Sequence, residues 1–288
     1  MKKGWKIFWI AAGAVGGIGL LLCGVALAMG LTFYDLREAY PNGIGLIRNE
    51  YWEEHVEKRV KSSIKESIDY AYSGSGITGL ELNLAGCDVI MEDSSDGQVH
   101  IDTDYVSFGD SGIEIQAEEE DGKLIIQTVK NGELWSKITG SNTYYGTLYI
   151  YLPSDLKFST AEISFGAGEL YIKKLDAEEL YINVGAGEFE VENFQADEVT
   201  VNVGAGDIEM YGDFQREFNL KCGIGEAEIN LRGRQYDYNY TLKSGVGDIN
   251  ISNEEYSGLA NARTVDNGGD KDMDIICGAG EVNIEFEQ

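Results

Sequence analysis

The sequence has few of the residues on which enzymes most often depend. Its 288 residues include two histidines, His55 and His100, and no histidine–cysteine spacing typical of a zinc site. No serine lies in a nucleophile-elbow pattern, and no glycine-rich loop ends in Gly-Lys-Ser or Gly-Lys-Thr. These absences predict a non-enzymatic protein with no catalytic residue, no cofactor and no metal site.

Positive charge is also scarce. The chain has 22 lysines and arginines against 50 aspartates and glutamates, a net charge of −28. Nucleic acid and anionic lipid are therefore poor partners, whereas cationic polymers, basic proteins and divalent ions are compatible with this charge. The alternative is that the acids only keep a β-rich surface soluble and its edges unpaired.

One segment lacks charge altogether. The 28 residues 7–34 contain no Asp, Glu, Lys or Arg, and about 20 apolar residues suffice to cross a bilayer. Lys2, Lys3 and Lys6 precede this segment, which predicts a single-pass membrane protein with a cytoplasmic N-terminus. The part beyond it carries 19 basic and 50 acidic residues, or −31. A cleaved signal peptide is the alternative, although its apolar region is usually only ~7–15 residues long.

Glycine, by contrast, is abundant and regularly spaced. The pattern x-Gly-x-Gly-acid recurs six times, and two alternating apolar positions follow each copy. The first glycines lie at 166, 185, 204, 223, 245 and 278, so the first three steps are 19 residues each and the last two are 22 and 33. Such a period with β-type alternation is typical of a solenoid. The predicted fold is all-β, a β-solenoid of stacked ~19-residue coils with two strands each.

Within each copy the apolar alternation shifts by one residue. In the third copy Val203 and Ala205 share one phase, whereas Ile208 and Met210 share the other. A bend at Gly206-Asp207 would keep all of them inside, because glycine tolerates the backbone angles of a corner. Stacking in chain order then predicts four buried columns. They are Phe165, Val184, Val203, Cys222, Ser244 and Cys277; Ala167, Ala186, Ala205, Ile224, Val246 and Ala279; Leu170, Phe189, Ile208, Ala227, Ile249 and Val282; and Ile172, Val191, Met210, Ile229, Ile251 and Ile284.

The remaining segments complete the predicted domain organisation. Residues 49–72 carry a helical apolar stripe, which predicts a stalk or a cap over one end of the solenoid. Strand patterns separated by turn signals predict an irregular β part before the regular repeats. The predicted divisions are 1–6 cytoplasmic tail, 7–33 transmembrane helix, 34–75 helical linker, 76–160 irregular β part and 161–288 regular β-solenoid.

The acids that end the six copies are the most prominent candidate metal ligands. Adjacent coils stack at ~4.8 Å, close enough for two carboxylates to share a calcium ion. The nine-residue repeat of calcium-binding β-rolls is absent, so we favour carboxylates that accept hydrogen bonds from corner amides. Residues 266–274 resemble the start of a calcium loop, but Ile275 lies where that loop needs glycine, which favours a solvated surface loop. The six acids are Glu169, Glu188, Asp207, Glu226, Asp248 and Glu281.

The cysteine positions argue against disulfide bonds. Cys222 and Cys277 fall in the same column, but stacking in chain order puts Ser244 between them and their Cα atoms ~10 Å apart. A disulfide requires Cα atoms within ~7 Å. Cys87 lies in the irregular part and Cys23 in the apolar segment. The cysteines are therefore predicted to be small buried residues.

The basic N-terminus, the apolar span, the strand Leu148-Tyr-Ile-Tyr-Leu-Pro153 and the Gly-x-Gly-acid coils resemble the bacterial putative-adhesin family. The likeness covers residues 77–286. It implies membrane-anchored β-strand-repeat proteins, frequent in Gram-positive bacteria and often associated with envelope-stress regulators. It supplies no active-site residues.

The leading functional hypothesis is a non-enzymatic envelope protein whose extracytoplasmic β-solenoid is an interaction or adhesion surface. Its partner would be cell-wall material, another envelope protein or a host surface. The alternative is the input domain of an envelope-stress sensing complex. That domain would act through a partner's transmembrane helix, because residues 1–6 are too few for a catalytic output.

A comparison of divalent ions tests the acidic column. If neighbouring carboxylates shared calcium, calcium at a hundred times its Kd would add ~2.7 kcal/mol to the free energy of unfolding. Magnesium would add much less, because it retains its water shell. We expect equal shifts of the melting temperature with both ions at matched ionic strength, as charge screening predicts. A shift specific to calcium would contradict this expectation.

Overall fold

The computed structural model describes residues 69–74, 76–103, 106, 113–130, 133–134, 146–252, 254–256 and 261–287. The predicted cytoplasmic tail, the predicted transmembrane helix and residues 34–68 of the predicted linker lie outside these ranges. In the part of the chain that is described, no helix has both the length and the apolar character needed to cross a membrane.

Most of the described backbone is β-strand, which confirms the all-β prediction. One short 3-10 helix, Gln235–Asp237, interrupts the strands. The strands are β1 Asp69–Ser73, β2 Gly79–Leu84, β3 Asp88–Asp93, β4 Gln98–Asp102, β5 Ile113–Glu120, β6 Lys123–Lys130, β7 Glu133–Leu134, β8 Thr147–Leu152, β9 Phe158–Phe165, β10 Glu169–Ile172, β11 Leu175–Arg232, β12 Tyr238–Ser244, β13 Asp248–Ile251, β14 Glu254–Tyr256, β15 Asn261–Val265, β16 Lys271–Cys277 and β17 Glu281–Glu287.

The strands stack as coils, each with one strand before and one strand after a corner. Parallel, in-register pairing joins equivalent strands of neighbouring coils: Leu82 pairs with Ile163, and Ile163 pairs with Ile182. The long strand β11 contains three consecutive coils, because residues 19 apart lie against each other, as Gly204 does against Gly185. This is the stacked two-strand architecture that the repeat predicted.

The coils are not stacked in chain order at the C-terminal end. β16 lies between β11 and β12, so Cys277 pairs with both Cys222 and Ser244. β17 likewise lies between β11 and β13. The sixth copy is therefore inserted between the fourth and fifth copies, and the prediction that Ser244 separates the two cysteines is wrong. The chain can return because β14 and β15 lengthen the connection and pair antiparallel with β13 and β12.

The N-terminal end is reordered in the same way. β2 pairs with both β6 and β9, and β3 pairs with both β8 and β10. The coil formed by β6 and β8 therefore stacks on the end of the coil formed by β2 and β3, although it comes later in the chain. The turn Leu84-Ala-Gly-Cys-Asp88 occupies the position of a repeat corner, since Leu84 pairs with Phe165. Sequence pattern did not reveal this seventh copy, because Ala85 and Cys87 replace the two glycines.

The predicted second buried column is wrong, because its side chains point outward. Ile224 and Val246 are 63% and 65% exposed, whereas Cys222 and Ala227 on either side of one corner are buried. The phase shift occurs across the whole Gly-x-Gly turn, in which Gly225 adopts a φ of 139°. The middle residue of each corner therefore lies outside, and the other three predicted columns face the core.

Buried side chains from both strands of each coil form one continuous apolar cluster. Its first column ends in Thr128 at one end of the stack and Ser244 at the other, the two buried polar residues within the described ranges. The Thr128 hydroxyl accepts a hydrogen bond from the Ala85 amide at 3.3 Å, which compensates for its burial. Each coil buries its apolar side only against its neighbours, as expected of a repeat fold.

Antiparallel strands cover both ends of the stack. β5 pairs with β6, and β4 joins β8 to β1 at one end, while β15 and β14 cover β12 and β13 at the other. The predicted helix over residues 49–72 is wrong for residues 69–72, which belong to β1. Its earlier residues lie outside the described ranges. Tertiary contacts explain the difference, because β1 pairs along β4 and the Tyr72 hydroxyl donates to the Ala117 carbonyl at 2.8 Å.

Substitution of a corner glycine tests the stacking. A Cβ at Gly225 would lie 2.0 Å from the carbonyl oxygen of Gly206, in addition to the strain of its positive φ. We expect Gly225→Ala to lower the free energy of unfolding by about 3 kcal/mol or more, measured by urea denaturation. Gly97→Ala is the control, because Gly97 also has a positive φ but has no neighbour within 4 Å. It should cost only about 1 kcal/mol, and equal losses would contradict the stacking argument.

Candidate interaction surface

The corners of successive coils form a continuous outer surface, here called the corner surface. It consists of the two glycine columns, the middle residues between them and the acids that follow. Cβ atoms at Gly204 and Gly278 would each lie 2.6 Å from the carbonyl oxygen of the neighbouring corner. Both positions therefore require glycine for close stacking, which confirms that the Gly-x-Gly pattern is structural.

The acids form one outward column, as predicted, but in a different order. In register, Glu281 lies between Glu226 and Asp248, and Asp88 of the seventh corner precedes the column. Backbone amides donate to these carboxylates: Glu226 N to Asp207 Oδ1 at 3.1 Å, and Glu169 N to Asp88 Oδ1 at 3.2 Å. The predicted hydrogen bonding to corner amides is confirmed at Asp207, and Asp88 of the seventh corner, which was not predicted, accepts the same bond. Within the described ranges, no three His, Cys, Asp or Glu side chains form a group that could hold a metal ion.

The middle residues of the corners form an exposed apolar ridge. Four of its six members are alanine, and the larger Ile224 and Val246 lie near one end of the stack. Their spatial order follows from the pairing of the corners, in which the amide of Val246 donates to Gly278 and that of Ala279 donates to Gly223. The ridge residues, in spatial order, are Ala167, Ala186, Ala205, Ile224, Ala279 and Val246.

A groove of about 650 Å³ runs beside the ridge. The first glycines of the corners leave it open because they have no side chains, and most of its surface is apolar. Asn183 and Asn202 line one side of the groove, where the side-chain Nδ2 of Asn202 donates to the side-chain Oδ1 of Asn183 at 3.0 Å. Lys221 occupies the equivalent position on the next coil.

A strongly acidic face lies next to the corner surface. On three successive coils of β11, a glutamate points outward two residues after the acid of the acid column. These glutamates are Glu190, Glu209 and Glu228. Partial burial, and then the like charges of Glu209 and of Glu192 and Glu188 on its own coil, raise the pKa of Glu190. Like charges that face each other across strands destabilise a sheet. The ionised carboxylates of this face therefore repel one another in the folded state, which lowers the free energy of unfolding.

Residues 266–270 lie at the surface, as predicted, whereas residues 271–274 begin strand β16 and bury Met273, so the predicted surface loop is wrong for them. Hydrogen bonds hold the whole segment in place. The Asn267 side chain donates to the Tyr238 carbonyl at 2.8 Å, and Asn239 donates to Asp272 at 3.0 Å. Lys271 forms an ion pair with Asp213 at 2.5 Å and lies 5.0 Å from the centre of the Tyr238 ring. These contacts anchor the inserted last coil instead of forming a calcium loop.

The histidine of the described part does not belong to a nucleophilic triad. His100 Nε2 and the Ser94 hydroxyl both bond to Asp96, at 2.9 Å in each case, in an exposed turn. His100, the Gln98 amide and Ser94 together lower the pKa of Asp96 to about 2. A triad requires the serine to bond to the histidine instead. His55 lies outside the described ranges.

Removal of one charge from the acidic face should stabilise the protein. Above its raised pKa, Glu190 is ionised and repelled, so this cost is present at neutral pH and disappears as the pH falls through that pKa. We expect Glu209→Gln to raise the free energy of unfolding by about 0.5 kcal/mol at pH 7, after allowance for screening, with a smaller gain in acid. Glu198→Gln is the control, because Glu198 pairs with Arg216 at 3.0 Å. If thermal melts showed both variants to be more stable than the wild type, repulsion within the acidic face would not be the cause of the effect.

Comparison with solved structures finds matches of low similarity. A putative cell adhesion protein from Clostridium sporogenes is 19% identical, with coverage of 77% of this chain and 99% of that chain and a TM-score of 0.45. A putative adhesin from Bacteroides fragilis is 16% identical, with coverage of 77% and 98% and a TM-score of 0.32. No curated protein matches the chain.

A family model gives the stronger result. The Toastrack DUF4097 model matches residues 77–275, which include the seventh corner, the three coils of β11 and most of β16. The match thus spans more than half of the chain and begins where the stack begins. By this match and its repeated corners, the chain belongs to the Toastrack DUF4097 family.

Proposed function

We propose that this protein is a single-pass membrane protein whose β-solenoid lies outside the cytoplasmic membrane and binds a partner through the corner surface. The uncharged residues 7–34 and the three lysines before them support this placement. The proposed role is non-enzymatic interaction or adhesion, with cell-wall material, another envelope protein or a host surface as the partner.

The observation that carries the binding role is the repetition of one outward surface on successive coils. The apolar ridge, the groove and the acid column run side by side along the stack. A long or repetitive partner would contact several coils at once, and several weak contacts then combine into firm attachment. Ile224 and Val246 provide the largest exposed apolar area on this surface.

Binding by the corner surface is tested with full-length protein in detergent. The double variant Ile224→Ser, Val246→Ser should bind at least roughly tenfold more weakly to isolated cell walls or envelope extracts, because it loses exposed apolar area. Ala205→Ser is the matched control on the same ridge and should bind almost as well as the wild type. Equal binding by all three proteins would rule out the ridge. Co-purification of a histidine kinase or another integral membrane protein would instead favour the sensing alternative.

Protease added to intact cells tests the placement. We expect cleavage after residue 34 and release of the β domain, while the first six residues remain protected. Detergent-permeabilised cells are the control for intrinsic sensitivity to the protease. Protection of the β domain in intact cells together with digestion of the N-terminus would reverse the proposed topology.

A further inference from the structure

Cys222 and Cys277 are direct neighbours in the core. They are register partners on β11 and β16, and the Gly278 amide donates to the Cys222 carbonyl at 2.8 Å. Both side chains are buried, at 2% and 1% exposure, and both are free thiols. Their contact exists only because the last coil is inserted between the fourth and fifth copies of the repeat.

We propose that Cys222 and Cys277 are a cross-link site, at which a disulfide fastens the inserted last coil to the long strand β11. In-register partners on neighbouring parallel strands lie ~4.8 Å apart. That separation falls within the range of ~4.4–6.8 Å between the Cα atoms of disulfide-bonded cysteines. Cys222 Sγ lies 3.7 Å from the carbonyl oxygen of Gly225 in its own corner, so bond formation also requires this side chain to rotate toward Cys277.

The chemistry is thiol–disulfide exchange with a small-molecule or protein disulfide as the oxidant. The thiolate of one cysteine attacks the oxidant disulfide, which forms a mixed disulfide and releases one oxidant thiol. The second protein thiolate then attacks the protein sulfur of the mixed disulfide and releases the other oxidant thiol. Two protein thiols are thereby oxidised to one disulfide, and the oxidant takes up the two electrons and two protons.

The timing of the reaction follows from burial. Burial raises the pKa of Cys222 to about 11 and also raises that of Cys277, so few thiolates are present in the closed stack. The bond therefore forms while the last coil is entering the stack or is transiently open. Once formed, it is shielded from reductants by the same burial.

The cross-link would stabilise the part of the fold that depends most on distant contacts. It closes a loop of about 55 residues that contains the whole of β12 to β15. A cross-link over a loop of this size should raise the melting temperature by roughly 10 °C. The proposed extracytoplasmic placement would supply a disulfide oxidant, but the chemistry does not require that placement.

The experiment uses full-length protein in detergent, opened with moderate urea and returned to buffer with either oxidised glutathione or a reducing agent. Remaining thiols are alkylated, and tryptic peptides are analysed by mass spectrometry without reduction. We expect peptides 222–232 and 272–288 to appear as one disulfide-linked species in the oxidised sample. The oxidised protein should also melt roughly 10 °C above the reduced protein.

Two variants separate the cross-link from general oxidation. Cys222→Ser should abolish the linked peptide and the difference in melting temperature, and Ser244 shows that this column accepts serine. Cys87→Ser, which changes another buried cysteine, should preserve both results. Alkylation of both Cys222 and Cys277 after oxidation, persistent glutathione adducts, or bonds only to Cys23 or Cys87 would overturn the proposal. A failed topology experiment would leave these results unaffected.

Discussion

The structure depends on the close approach of backbone to backbone at the corners. At five of the six repeat corners two glycines lie against the carbonyl oxygens of the neighbouring coil, where a Cβ would come within about 2.0–2.6 Å of oxygen. At these five corners glycine lets the strands on both sides stay in register, because a side chain would collide with the neighbouring backbone. The apolar columns of the core align because the corners hold the coils at a constant spacing.

The same turn determines the outer surface. Because the middle residue of Gly-x-Gly points outward, its size can vary without disturbing the core, from alanine at most corners to Ile224. The following acid accepts an amide hydrogen bond from the next corner, as Asp207 does from Glu226. A structural motif thus produces a repeated surface of apolar and acidic residues, which supports a role in binding.

Both ends of the stack depend on contacts between residues distant in sequence. The last coil, formed by β16 and β17, lies between β11 on one side and β12 and β13 on the other. The ion pair between Lys271 of β16 and Asp213 of β11 also holds this coil in place. Pairing between such distant residues carries a high entropic cost of loop closure, so it is generally slow to form. This arrangement also makes Cys222 and Cys277 register partners, where the proposed disulfide would fasten the last coil to β11.

The sequence by itself determined the all-β class, the coil length, three of the four predicted core columns and the acid column, because alternation and a 19-residue period are local properties of the chain. It did not determine the direction of Ile224, since an apolar residue in an alternating pattern resembles a core residue. The tertiary structure alone decided the order of the coils. Each coil presents two nearly equivalent edges, so the sequence of Cys222, Ser244 and Cys277 along the chain does not specify which coils are neighbours. Long-range pairing and the end strands β14 and β15 make that choice.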